Sequence, residues 1–165
     1  MYHALLNDHR GVRMEQRCLA DRRDRPGDVY HPSFLNGRPA YFDLTVRNTL
    51  QPAFLARGAH VAGIAADAGV AAKDVTHADV VTSVGGDFFP LVVESFGVWA
   101  PTSLETLRII ASRATTYSGL LAHRGLSNIV QQLSIVLWTF NARMIRGQMA
   151  FQEYVPGWDL PGQYS

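Results

Sequence analysis

An α/β fold built on a mixed sheet is what this sequence predicts, on three observations. An Asn-Gly pair, Asn36-Gly37, sits between two runs rich in β-branched and aromatic residues, which reads as a hairpin. A long Ala- and Val-rich segment without Pro follows at helical spacing. A continuous apolar run at 88–94, bounded by Gly85-Gly86 and by Ser95-Phe-Gly97, then reads as a buried strand. Two antiparallel strands, a crossover helix and a further strand give a sheet of mixed direction with helices packed against it. The 165 residues, 47% hydrophobic and 18% charged, suffice for one such core.

The elements are expected in this order. Residues 1–8 suit the last turns of a helix. In 11–24, which is strongly charged, Val12, Met14 and Cys18 suit a short edge strand. After Pro26-Gly27, residues 28–31 read as a short strand. In 40–46 the period of two puts Tyr41, Asp43 and Thr45 on one face and Phe42, Leu44 and Val46 on the other. Asp43 therefore stands mid-strand but off the most apolar face. A helix is expected over 59–83, with a break at Gly69 and a face of small residues suited to close packing on a sheet. Gly85-Gly86 ends it. Pro90 places the next strand at an edge, or marks its start.

Thr102-Ser103 opens a helix that runs to about residue 117, with Glu105 as a capping-box partner. The longest amphipathic helix is expected over 126–149, where Leu126, Ile129, Val130, Leu133, Val136, Leu137, Phe140, Met144 and Ile145 follow three/four spacing. Trp99, Trp138 and Phe140 read as core residues. Residues 151–165 combine Pro and Gly with no period and read as a tail, which leaves 1–150 as the folded unit.

Composition narrows the function. No window approaches eighteen uninterrupted apolar residues, and no apolar segment behind a basic start marks 1–25 as a secretory signal. An intracellular protein, nuclear or cytoplasmic and without a membrane partner, is expected. Cys18 is the lone cysteine, which excludes an internal disulfide or a Cys-based zinc site made within this chain. The net charge of +1 gives no global basic field. All but one of the fifteen cationic residues are Arg, the exception being Lys73. Arg dominance suits phosphate contacts, and base composition of the coding DNA is the alternative. Ser95 lies in Glu-Ser-Phe-Gly rather than a nucleophile elbow, so a serine hydrolase has no support.

One spacing carries chemistry. Asp28 and Asp43 stand on either side of the Asn36-Gly37 turn, so a hairpin brings them toward each other. Two nearby carboxylates repel unless a cation lies between them, and hard divalent ions suit such oxygen ligands. The plainer alternative makes Asp28 a turn cap and Asp43 a surface residue. Lys73 and His77 share a helix face by their spacing of four, and a helix crossing back over the sheet would bring that face to Asp43. The alternative there is an exposed Lys beside a solvated His.

These residues resemble a family. Arg25-Pro-Gly-Asp28, then Gly37-Arg38-Pro-Ala-Tyr-Phe-Asp43-Leu-Thr-Val46, then Lys73-x-x-x-His77, then Phe89-Pro-Leu-Val-Val-Glu94-Ser-Phe-Gly97 are similar to the restriction-like endonuclease domain of non-LTR retrotransposon polyproteins. That domain belongs to the PD-(D/E)XK nuclease fold. Its pattern is a Pro-Asp pair, a spacer of about twelve to fourteen residues, a second Asp on the next strand and a Lys on the following helix. Two departures are visible: Pro-Gly-Asp replaces Pro-Asp, and Thr45 stands where the broader fold has Lys.

The resemblance implies a restriction-endonuclease-like mixed sheet flanked by helices, with a C-terminal helical extension. It implies a metal-dependent DNA endonuclease that nicks target DNA with Mg²⁺, or Mn²⁺, as cofactor. Asp28 and Asp43 would hold the ion, and Glu15 or the carbonyl of Leu44 would add an oxygen. Lys73 would orient water or offset developing charge. Glu94, which ends an apolar strand, reads either as a further polar contributor or, as is commoner for a strand end, as a solvent-facing residue. Arg25, Arg38, Arg47 and His77 would grip DNA. Partners would include DNA and other domains of a parent polyprotein such as a reverse transcriptase, and a homodimer is compatible. The alternative is an inactive remnant that binds nucleic acid, or a helical interaction module built on the 126–145 face.

Overall fold

In the computed structural model of the chain, the described residues are 11–14, 25–118 and 122–154. Four strands, β1 (Arg13–Met14), β2 (Val29–His31), β3 (Ala40–Arg47) and β4 (Asp87–Glu94), form one sheet in the order β1-β2-β3-β4. β1 pairs antiparallel with β2, and β2 antiparallel with β3. β3 and β4 run parallel in an eight-residue ladder from Ala40↔Asp87 to Arg47↔Glu94. The connection between them carries α1 (Pro52–Gly58) and α2 (Ile64–Ser83). Two further helices follow, α3 (Pro101–Ser118) and α4 (Ala122–Tyr154). No helix among the described residues is long and apolar enough to cross a membrane.

The β2–β3 connection turns where the Asn-Gly pair predicts. Asn36 and Gly37 both have positive φ, 52° and 75°, and Arg38 N–H donates to Leu35 O at 2.9 Å. Two consecutive positive φ values define the turn whose twist matches the strands it joins.

Alternation divides β3 between two environments. Ala40, Phe42 and Leu44 face the main core, where Phe34, Phe42 and Phe89 form an aromatic centre. Phe34 meets Phe42 edge-on at 5.0 Å, and Phe42 stacks on Phe89 at 5.3 Å. Leu107, Ile110 and Ala111 of α3, with Ile129 and Leu137 of α4, cover this side. The opposite face takes α2, whose Ala66 and Val70 pack on Val92.

Several local expectations yield to tertiary demands. The helix expected over 59–83 starts at Ile64 and is interrupted not at Gly69 but ahead of Gly63, whose φ is 88°. Gly69 lies inside continuous helix because a Cβ there would stand 2.8 Å from Val92 Cγ1 and 2.9 Å from Arg47 Nε. Its role is close approach, not a break. The short helix α1 has no counterpart in the sequence reading. The capping box at Ser103 does not form: α3 begins at Pro101, a favoured first helical position, so Ser103 is already inside. Its buried hydroxyl instead donates to Pro90 O at 3.1 Å and accepts from Val92 N at 2.8 Å. It thereby extends the pairing of the outer edge of β4, where Ala100 N donates to Val92 O and Glu94 N to Val98 O. Glu105 pairs with Arg108.

Helix α4 continues through residues 151–154, which the sequence assigns to the tail; 155–165 lie outside the described residues. Trp99 is buried as expected, but Trp138 and Phe140 are more than half exposed, because at this level α4 turns Leu137 to the core and Asn141 to the Ser95 carbonyl instead. The helix expected in 1–8, and Cys18, lie outside the described residues.

Gly27 occupies a position with no room for a side chain. Pro26 is fully buried, and the chain at Gly27 passes so close over Phe42 that a Cβ would meet its carbonyl oxygen at 2.8 Å and its nitrogen at 3.0 Å. Both are backbone atoms and cannot step aside. Gly27→Ala is therefore expected to destabilise the fold by about 1–3 kcal/mol in urea unfolding, whereas a loss near zero would show that the crossing is adjustable.

Candidate active site

The site is built on the α2 face of β3. Strand β2 is only three residues long, so beyond Val29↔Phe42 the outer edge of β3 has no ladder partner. Continuing the antiparallel register by one residue sets Asp28 opposite Asp43. There the Asp28 carboxylate accepts the Leu44 N–H at 2.8 Å and so replaces the missing strand. A backbone need thus holds this exposed carboxylate beside the residue that follows Asp43.

Asp43 lies under α2 and is 8% exposed. Lys73 Nζ approaches its Oδ2 to 2.9 Å, and Thr45 Oγ1 donates to the same oxygen at 3.0 Å. The helix reaches it in steps of four. Ala65, Gly69, Lys73, His77 and Val81 fall on one stripe by the helical period. Along the sheet this stripe meets Glu94, then Val92 with Arg47, then Asp43, Phe88 and Tyr41. Small residues at the start of the stripe let α2 lie close, and the ammonium of Lys73 arrives at the carboxylate.

The remaining expected residues distribute as follows. His77 is one turn beyond Lys73 and rests its ring on Phe88 at 5.6 Å. Arg47 shares the face of Asp43 and lays its side chain over Gly69. Arg38 stands at the opposite end of β3, about 16 Å along the strand from Asp43. It ion-pairs with Asp87 at 3.1 Å and donates to Gly86 O at 3.2 Å, fastening the turn to the start of β4. Arg25 is exposed ahead of Pro26. Glu15 lies outside the described residues.

Glu94 corrects the expectation of a solvent-facing strand end and of a contributor to the site. It is 4% exposed, and its Oε1 accepts the N–H groups of Ala65 at 2.9 Å and Ala66 at 3.4 Å. α2 begins after Gly63, which has no side chain to cap it, so an acid from the neighbouring strand serves its positive end. Thr45 is the residue the sequence reading missed as a donor to Asp43. The signal was present, since strand period puts it on the same face two residues on. Asp74, next to Lys73, has its carboxyl pushed up by burial.

In their contacts with Leu44, Thr45 and Lys73, Asp28 and Asp43 each engage through Oδ2. No group of three or more His, Cys, Asp or Glu converges among the described residues. Ions that keep most of their water and take one or two carboxylates plus substrate phosphate need no larger cluster. Comparison with protein-family models, with curated proteins and with solved structures finds no match for the chain.

The Asp43–Lys73 contact is mostly shielded, with side chains 11% and 27% exposed, so the pair is expected to be energetically coupled. A double-mutant cycle of Asp43→Ala and Lys73→Ala in urea unfolding should give a coupling of about 1–3 kcal/mol. Strictly additive losses would mean that the contact contributes no stability.

Proposed function

We propose that the chain is a metal-dependent DNA endonuclease domain of the restriction-endonuclease-like type, of the kind found in non-LTR retrotransposon polyproteins. The observation that carries the reading is the contact of Lys73 with Asp43, beside an Asp28 tied to the adjacent Leu44 amide. Two acidic residues flanking a hairpin and a lysine from the following helix make up the residue pattern of that family. The four-strand mixed sheet with helices on both faces supports the same reading.

Phosphodiester hydrolysis requires a water nucleophile and positive charge against the phosphate. Asp28 and Asp43 would hold Mg²⁺ or Mn²⁺ through their remaining oxygens. A divalent ion there supplies charge against the phosphodiester and acidity to water. Lys73 uses one of its three N–H donors on Asp43 and has two left to orient water or stabilise charge on a phosphate oxygen. Thr45 fixes the carboxylate from the other side, so that Asp43 keeps one orientation. Arg47, on the same face, would contribute a cation to the DNA backbone. Arg38, spent on Asp87, has less to offer there.

Two measurements test this. Lys73→Ala should lower nicking of supercoiled plasmid in Mg²⁺ about a hundredfold, near 3 kcal/mol of transition-state stabilisation. DNA affinity should hold, because one phosphate contact changes the salt slope by at most about one. Lys73→Arg should rescue poorly, since a planar guanidinium does not replace a point charge. Unchanged nicking by Lys73→Ala excludes a catalytic lysine, and an inactive wild-type protein that still binds DNA favours the remnant. By titration calorimetry, Asp43→Asn should lose most Mn²⁺ binding; equal binding by both proteins removes Asp43 as a ligand.

A further inference from the structure

At the end of the sheet where β4 begins, a cleft of about 470 Å³ falls within the size range of ligand pockets. It is lined from α2 by Ala78 and Thr82, from β4 by Asp87, Phe88 and Phe89, and from the β2–β3 connection by Arg38. The cleft adjoins Asp43 and Lys73. Asp43 is level with Pro90 in the ladder, so Phe88 stands two residues back, about 7 Å along the strand. Phe88 also meets the ring of His77, one turn beyond Lys73.

The lining combines apolar surface with one donor–acceptor couple. Phe88 and Phe89 are partly exposed. Arg38 Nη2 lies 3.1 Å from Asp87 Oδ1 and also donates to Gly86 O, so guanidinium and carboxylate are held side by side. Both still reach solvent, with side chains 49% and 32% exposed. Such a couple fits a flat ligand whose edge carries acceptors on one half and donors on the other. Among the DNA bases, guanine has this edge: O6 and N7 accept together, and N1–H and the N2 amino group donate together. Adenine, cytosine and thymine each offer a single donor group there. Arginine takes O6 and N7 bidentately, and a carboxylate has two oxygens for the two donors.

We infer that this cleft is a base subsite for an unpaired guanine, carried by a nucleotide close to the cleaved bond. Asp87 accepts from N1–H and the N2 amino group, Arg38 donates to O6 and N7, and Phe88 supplies an aromatic surface for the ring. The inference rests on the nuclease reading for its ligand, a DNA strand. The guanine must stand outside a duplex, where cytosine would occupy the same donors. The ion pair that keeps Arg38 from the DNA backbone therefore gives it a base edge to read.

Fluorescence anisotropy of the full chain with labelled single-stranded octamers tests it, without divalent metal so that no cleavage is read. A thymine octamer with one central guanine should bind about tenfold more tightly than the all-thymine octamer. Hypoxanthine in place of that guanine lacks the N2 amino group and should lose most of the gain. In Asp87→Asn, which retains a partner for Arg38, the guanine gain should already be lost and hypoxanthine should cost nothing more. Free dGMP should compete far more weakly than the guanine octamer; equal competition overturns the placement on a DNA strand. Octamers that bind alike, or hypoxanthine as good as guanine, overturn the subsite and leave the nuclease reading standing. A guanine preference in a protein whose nicking ignores Lys73→Ala supports the subsite and removes the catalytic lysine.

Discussion

Everything on one face of this sheet depends on how near α2 can come to it. Ala65, Ala66 and Gly69 present almost no side chain at the start of the helix, and at Gly69 even a methyl group would collide with Val92 and Arg47. Nearness alone would leave the helix free to slide or roll. Glu94 stops the sliding by holding the first amides, and Lys73 stops the rolling by reaching Asp43 two turns later. Packing, a helix-end charge and a shielded ion pair thus act on one rigid rod at successive points, and a shift of one residue would break all three.

The ion pair is also where stability and chemistry meet. A carboxylate that is 8% exposed is costly without a partner, and Lys73 and Thr45 together offset that cost. On the proposed reading, the same two contacts fix the orientation a ligand oxygen needs. Asp28 is held by a different necessity: a short strand leaves the Leu44 amide without a ladder partner, and the acid supplies one. Neither acid owes its position to the other.

Local signals were legible where the chain answers only to itself. The Asn36-Gly37 turn follows from residues that accept positive φ, and the alternation in 40–46 already set Asp43 apart from Phe42. Lys73 could be placed near Asp43 because a crossover helix must return over the sheet. Misreadings arose where a residue had two possible roles and a distant element chose between them. A helical glycine marks either a break or a close approach, and only Val92 and Arg47 decide for Gly69. Ser103 looked like a cap but was claimed by Val92 N and Pro90 O on the outer edge of β4. Glu94 looked like a wet strand end until a helix without its own cap arrived beside it. For Trp138 and Phe140, spacing revealed apolar positions but not which of them the body would cover, and it covers Leu137.

The alternation of β3 has an evolutionary consequence. Phe42 and Asp43 are neighbours in the chain, yet one belongs to an aromatic centre covered by α3 and α4 and the other to a polar site covered by α2. Drift in the polar set can proceed without touching the aromatic one. A descendant that replaces Asp43 and Lys73 together leaves no unpaired shielded charge behind and keeps Phe34, Phe42 and Phe89 in place. Selection on folding alone would therefore hold the aromatic rings one by one but Asp43 and Lys73 only as a pair, so the two should be lost together.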